Sequence, residues 1–224
     1  MNEGDFAKID YVGRVKGGKV FDATSEETAK KEGVYNERGK YGSVLVPVGK
    51  GVVLKGLDEE LLKANKGDEK KVSFGPDKAF GRRNPELVKL VPMKPFKEQG
   101  IQPVPGMPIQ LDGMQARVQS VSGGRVRVDF NHELAGKEVE YDYKVLEVYS
   151  KPEEKAAALG KDLLPEASVE YSEKQIKVKV PGEPNKATAD YVVRKNQLIA
   201  QLLEFVGARK VVVEEEWAKP NSTH

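Results

Sequence analysis

The chain of 224 residues holds two histidines, His132 and the terminal His224, and no cysteine. His132 stands in "FNHELAGKEVEY" at 130–141, beside Glu133. A histidine next to a carboxylate is the pairing from which general bases and metal sites are built. Neither chemistry is completed here. A serine–histidine–acid arrangement needs a serine in a recognisable nucleophile setting, and none accompanies His132. A zinc site needs further His or Cys, and only scattered carboxylates remain. The 35 acidic residues are spread along the chain, so no pair singles itself out as a hydrolytic couple. "GGKVFD" and "GKGVVLKG" carry glycines without the spacing of a phosphate loop, and no dinucleotide fingerprint is present. No metal and no cofactor are expected. The chemistry left to the chain is of a kind that needs no nucleophile.

Composition narrows the class further. Apolar residues make up 38% and charged residues 32%, which is globular rather than disordered. The formal net charge of +2 is too small a bias for nucleic-acid binding, and no Lys/Arg run with interleaved aromatics supplies it locally. No apolar run reaches the ~18 residues of a membrane span. The start, "MNEGDFAKIDY", is charged and lacks the apolar centre of a signal peptide. With no cysteine, a cytoplasmic location is the expectation.

The elements that must position any site read as α+β. Residues 6–21 form a hairpin, with Phe6, Ile9 and Tyr11 in its first strand and Gly17–Gly18 at its turn. "TSEE" at 24–27 is a capping-box pattern, with Thr24 as the cap. "SVLVPVG" at 43–49 reads as an edge strand because of Pro47. "GLDEELLKANKG" at 56–67 is a short amphipathic helix, and "EKKVSF" at 69–74 alternates like a strand. Between residues 84 and 129 the composition shifts. Six of the 13 prolines and every methionine except Met1 lie there, with hairpin signals at "LDGM" and "SGGR". That window reads as a small all-β insert. A strand returns at 137–148, and "SKPEEKAAALG" at 150–160 reads as a polar helical linker. The remainder, 151–224, reads as a β-β-α-β module. Its helix spans 185–207, with Val192, Ile199, Leu202 and Val206 as the apolar stripe and Gly207 just beyond its end. One sheet with one helix leaves a face to cover, which a second copy would do.

Four stretches in order carry a resemblance: "DYVGRVKGGKVFDAT" at 10–24, "PVGKGVVLKGLDEELL" at 47–62, "DKAFG" at 77–81 and "NHELAGKEVEYDYKVLEV" at 131–148. Together they resemble the FKBP-type prolyl isomerases, and the insert between the third and fourth is similar to the SlyD-like branch, where an insert-in-flap domain interrupts the isomerase domain. The extra C-terminal module resembles the longer archaeal members. The resemblance implies an FKBP-like antiparallel sheet wrapped on a short helix, with domains at 1–83 plus 130–150, 84–129 and 151–224. It implies a peptide pocket in which Tyr11, Phe21, Asp22, Val53, Leu54, Phe80, Leu134 and Tyr141 act on the X-Pro bond, with Val44, Leu57 and His132 at its wall, floor and edge. Phe80 stands where the family usually has Tyr, and Leu57 where many members have Trp, which bears on macrolide binding before it bears on catalysis. Met93, Phe96, Met107 and Met114 of the insert are the candidate surface for unfolded chains, because unbranched, polarizable side chains suit promiscuous contacts.

The expected function is a peptidyl-prolyl cis-trans isomerase with chaperone activity, acting on unfolded or proline-containing polypeptides. A homodimer through the C-terminal module is expected, with no nucleic acid and no membrane as partner. The alternative is a non-catalytic holdase whose pocket only binds peptide. His132 is expected to cap the turn that re-enters the domain through ring-to-backbone hydrogen bonding.

Overall fold

In the computed structural model, residues 1–111, 113–182 and 188–217 are described. Asp112 of the "LDGM" turn, residues 185–187 of the expected last helix and the "NST" tripeptide at 221–223 lie outside them. The chain forms two compact units. One holds residues 1–14, 18–72 and 140–224, the other 15–17 and 73–139.

The first strand, β1 (Phe6–Val15), turns through Gly17 at φ +65° into β2 (Val20–Ala23). Helix α1 (Glu26–Lys31) follows, then β3 (Val44–Pro47), α2 (Lys55–Leu61) and β4 (Glu69–Phe74). Both β2 and β3 pair antiparallel with β1, β2 along residues 12–14 and β3 along residues 6–9. Pro47 ends its strand, as the missing amide of proline requires. The cap of α1 differs from expectation by one residue. Ser25 accepts from Thr28 N–H, while Thr24 is buried and accepts from Tyr11 N–H at 3.0 Å. Thr24 is worth more to the fold as a brace between β1 and β2 than as a helix cap. Helix α2 is shorter than its pattern, because Leu62 already closes it. It buries Leu57 and Leu61, each worth roughly 1.5–3 kcal/mol against exposure.

The insert lies in the second unit: β5 (Val88–Pro92), α3 (Lys94–Glu98), β6 (Pro108–Leu111), β7 (Met114–Ser122) and β8 (Arg125–Asp129), in the antiparallel order β5-β8-β7-β6. Phe96, Val118, Val126 and Val128 are its buried centre. The strand β9 (Val139–Tyr149) then completes the first sheet, in the order β2-β1-β9-β4 with β3 on β1.

The last third corrects the expected linker. Helix α4 (Pro152–Leu163) is not solvated on all sides: Ala156, Leu159, Leu163 and Leu164 are buried. The spacing of those residues is one helical face, hidden in the sequence behind the run of Lys and Glu. Strands β10 (Ser168–Ser172) and β11 (Gln175–Gly182) form a hairpin whose two turn residues, Glu173 and Lys174, both have positive φ without an Asn-Gly signal. Helix α5 (Ala189–Phe205) crosses to β12 (Lys210–Trp217), which pairs parallel with β11. The module is therefore β-β-α-β, with α4 added to its core. Gly160 lets α4 close on β10, since a Cβ there would overlap Val169. The stripe of α5 is also corrected. Tyr191, Leu198 and Leu202 are buried, whereas Val192 is 45% exposed. Phe6 of β1 shares this core, with Leu45 and Tyr149 packed against it. The C-terminal module is thus continuous with the back of the first sheet. No helix among the described residues is long and apolar enough to cross a membrane.

Leu159, 2% exposed, tests the correction. Leu159→Ala should lower unfolding stability by about 2–5 kcal/mol in urea titration. A helix that was only a linker would lose less than about 0.5 kcal/mol.

Candidate active site

The site grows from one irregular register. Gly13 of β1 lies opposite Asp22 and Arg14 opposite Val20, so Phe21 is the extra residue of a β-bulge. In a regular strand Phe21 and Asp22 would face opposite sides of the sheet; a bulge turns both toward one side. There they meet two tyrosines. Tyr11 donates its hydroxyl to Asp22 Oδ2 at 2.7 Å. The Tyr11 and Tyr141 rings lie 5.5 Å apart at 53°, and Phe21 meets Tyr141 edge-on at 5.9 Å and 72°. Such tilted and edge-to-face pairs are the favoured aromatic geometries. Gly13 permits the packing. A Cβ on it would stand 2.9 Å from Phe21 Cε2 and 3.1 Å from Tyr141 Cε1. Thr24 holds the backbone of Tyr11 in place through the hydrogen bond already described, and donates back to Tyr11 O at 3.2 Å.

The loop before α2 carries Val53 and Leu54, both half-buried. Its anchor is Asp58, 7% exposed, whose two carboxylate oxygens accept from Gly49 N–H at 2.7 Å and Gly51 N–H at 2.8 Å. Leu57 beside it is 2% exposed. Val44 lies in β3 opposite Ile9, which is fully buried. Gly13 and Asp58 are supporting residues that the sequence reading passed over, and Thr24 is one that it read as a helix cap. Only the "GKG…GLD" spacing hinted at Asp58, as an acid following glycines whose amides need an acceptor.

Phe80, His132, Leu134 and the expected residues of the insert lie in the second unit. Phe80 stacks on His132 with centroids 4.7 Å apart and rings 3° from parallel. His132 Nδ1 accepts from Leu134 N–H at 3.1 Å, and its carbonyl accepts from Ala135 N–H at 2.9 Å. With Nδ1 an acceptor, the neutral ring carries its proton on Nε2. The expected turn-capping role is what the geometry displays. In the insert, Met93 and Met107 are half-buried against its centre and Met114 is 51% exposed. Phe96 departs from the expected surface: at 3% exposure it is core, because the single turn of α3 points it inward under Val118 and Val126.

The electrostatics hold both tyrosine hydroxyls in their protonated form. Burial first, and then the Asp22 carboxylate, push the Tyr11 hydroxyl far above its ordinary value; burial does the same to Tyr141. Tyr11 therefore stays a hydrogen-bond donor at any working pH. A cleft of about 510 Å³ also touches β1, lined by Tyr11, Val12 and Tyr143 together with Glu26, Glu69 and Asp142 among others. Its carboxylates are engaged, Glu26 with Lys30, Glu69 with Lys144 and Asp142 with Arg14.

Two measurements check this geometry. Asp58→Ala should cost about 1.5–3 kcal/mol of stability, because two loop amides lose a charged acceptor. In an alkaline absorbance titration of the eight tyrosines, Tyr11 and Tyr141 should stay protonated well past the ordinary phenol value of ~10. Because their folded values lie above the unfolded one, stability should fall as pH rises past about 10.

The family model described as FKBP26, IF domain, matches residues 89–134. The short-type peptidyl-prolyl cis-trans isomerase of Methanocaldococcus jannaschii is 36% identical over 148 residues, covering 66% of this chain and 94% of that protein. The FKBP-type 16 kDa peptidyl-prolyl cis-trans isomerase of Escherichia coli K12 is 30% identical over 134 residues, 58% of this chain and 85% of that protein. The SlyD isomerase of Helicobacter pylori is 30% identical over 120 residues, 51% of this chain and 64% of that protein. With the Methanocaldococcus relative matched over nearly its whole length, and an insert of the IF type within the same chain, this protein belongs to the FKBP-type peptidyl-prolyl cis-trans isomerases.

Proposed function

We propose that the protein catalyses cis-trans isomerisation of X-Pro bonds in unfolded and partly folded polypeptides, and that its insert holds those polypeptides as a chaperone. The observation that carries the first half is the aromatic cluster of Tyr11, Phe21 and Tyr141 over Gly13, with Asp22 fixing the Tyr11 hydroxyl. The barrier to rotation, ~18–20 kcal/mol, is the resonance lost when the C–N bond twists. Unaided isomerisation takes roughly tens of seconds, and a thousandfold gain needs only about 4 kcal/mol. The planar amide is the more dipolar form, so water stabilises it over the twisted one. A pocket walled by apolar rings removes that water and keeps no ionised group on the reacting bond. Tyr11 and Asp22 orient the peptide; neither transfers a proton. Val53 and Leu54, on the loop that Asp58 anchors, supply backbone and apolar surface.

The second half rests on apolar surface left open on a small sheet. Leu90 is 64% exposed, Val104 53% and Met114 51%. Met114 pairs with Leu111 on β6, so it borders the insert's core face. An unfolded segment would lie on that rim or add to a strand edge, which raises its local concentration for the isomerase pocket. The same reading places the protein in the cytoplasm and pairs two copies through the C-terminal module. The outer side of that sheet is ion-paired, Lys177 with Glu214 and Lys179 with Glu170, and so is a poor seat. Val192, Ile199 and Leu203 share one open face of α5, with Val192 45% and Leu203 43% exposed.

Proline-limited refolding of an unrelated protein tests the catalytic reading. The whole chain should accelerate the slow phase, and Gly13→Ala and Tyr11→Ala should each lower that acceleration at least about tenfold. Unchanged slow phases together with suppressed aggregation would instead identify a holdase. For the pairing, Leu203→Glu should halve the sedimentation mass of the full chain. A monomer in the unsubstituted protein removes the dimer.

A further inference from the structure

Strand β1 changes partner between Ile9 and Val12. Val12 lies opposite Ala23 of β2, and Ile9 lies opposite Val44 of β3. Tyr11 stands at the change, and by the register of β2 the residue opposite it is Thr24. Two residues paired in this way in an antiparallel ladder exchange both of their backbone bonds. Here the backbone makes only one of the two. Thr24 N–H donates to Tyr11 O at 3.0 Å, as the ladder requires. The return bond goes elsewhere: Tyr11 N–H donates to Thr24 Oγ1 at 3.0 Å. The Thr24 carbonyl accepts instead from Gly42 N–H at 2.8 Å.

The Thr24 side chain thus replaces its own carbonyl in the ladder. The carbonyl so released ties down the loop that leads through Gly42 into β3. The hydroxyl proton has two acceptors in reach, Tyr11 O at 3.2 Å and Asp10 Oδ1 at 3.4 Å. Thr24 is 5% exposed, so little water is at hand to take over if the hydroxyl is removed, and a buried N–H without an acceptor is costly. Valine has the same shape and no acceptor. A tyrosine ring is rigid, so any tilt of the Tyr11 backbone is carried out to its hydroxyl. That hydroxyl donates to Asp22, and the ring leans on Tyr141.

We propose that Thr24 is a positioning residue for isomerisation: its hydroxyl, in place of a backbone carbonyl, sets the Tyr11 ring and hydroxyl in the peptide pocket. It acts through Tyr11 alone. The proposal rests on the reading above that Tyr11 lines that pocket, and adds the residue that fixes where Tyr11 stands.

The test uses the full chain and a short proline peptide, with Thr24→Val, Thr24→Ser, Tyr11→Ala and the double variant of Tyr11→Ala and Thr24→Val. Thr24→Val should lower kcat/KM about tenfold, with the fall in kcat, and Thr24→Ser should return it to within about twofold. Tyr11→Ala already removes what Thr24 positions, so the double variant should lie within about twofold of it. In Thr24→Val, exchange of the Tyr11 amide should rise at least about tenfold while that of the Gly42 amide stays within about twofold. Thr24→Ala, which also lacks the hydroxyl, gives the same comparison if Thr24→Val does not fold. A further tenfold loss in the double variant overturns the proposal, because Thr24 would then act on the fold and not through Tyr11. Faster exchange at Gly42 with Tyr11 unchanged also overturns it, since the carbonyl would have swung back into the ladder. So does full kcat/KM in Thr24→Val with the Tyr11 amide freed. Full activity in Tyr11→Ala removes the pocket reading and the positioning role together, whereas additive losses leave the pocket reading standing.

Discussion

Two aromatic rings need the space that Gly13 leaves empty. The Phe21 and Tyr141 rings come to within ordinary contact of a bare α-carbon, and any side chain there would drive one of them away. The bulge at the same point sends Phe21 and Asp22 to one side of the sheet. Tyr11, Tyr141 and Asp22 then fall into mutual reach, with Thr24 bracing Tyr11 from behind. Fill that space and the Phe21 or Tyr141 ring must shift. The cluster is held by geometry at one backbone position more than by any single strong bond.

That constraint explains why the chain manages without nucleophiles. The reaction breaks no covalent bond, so it asks for water exclusion and orientation. Buried tyrosines that keep their protons, and a carboxylate spent on holding one of them, meet that need. His132, the side chain that first suggested general-base or metal chemistry, spends its ring on a stacking contact and its Nδ1 on a backbone amide. Catalysis and the proposed capture call for different surfaces. The insert offers exposed Leu90, Val104 and Met114 over a thin core, while the ion-paired outer face of the C-terminal sheet offers little to an unfolded chain.

Much of this was legible in the sequence, for physical reasons. The strands, the insert and the β-β-α-β order follow from alternation, proline density and glycine turns. The aromatic cluster follows from ordered motifs rather than from any one residue. What stayed hidden depends on tertiary approach. Gly13 looks like any strand glycine until two rings are seen against it. Thr24 reads as a cap because capping boxes are local, whereas its partner Tyr11 is 13 residues away. The core face of α4 is masked by its charged neighbours, and Val192 fits a helical stripe that Tyr191 and Leu198 occupy instead. Phe96 looked like binding surface because its neighbours are methionines, but a core of four buried residues needs its largest ring inside.

The central claim is that rotation about the X-Pro bond is promoted by a dry aromatic pocket and not by proton transfer. The most direct measurement is the cis-trans exchange rate of a short proline peptide bound to the protein, followed by exchange NMR from about pH 5 to about pH 9 in H₂O and D₂O. The account predicts a flat profile and a solvent isotope effect near ~1, with Phe21→Ala slowing exchange at every pH. A bell-shaped profile, or a solvent isotope effect of about 2 or more, would place a proton in flight and contradict it.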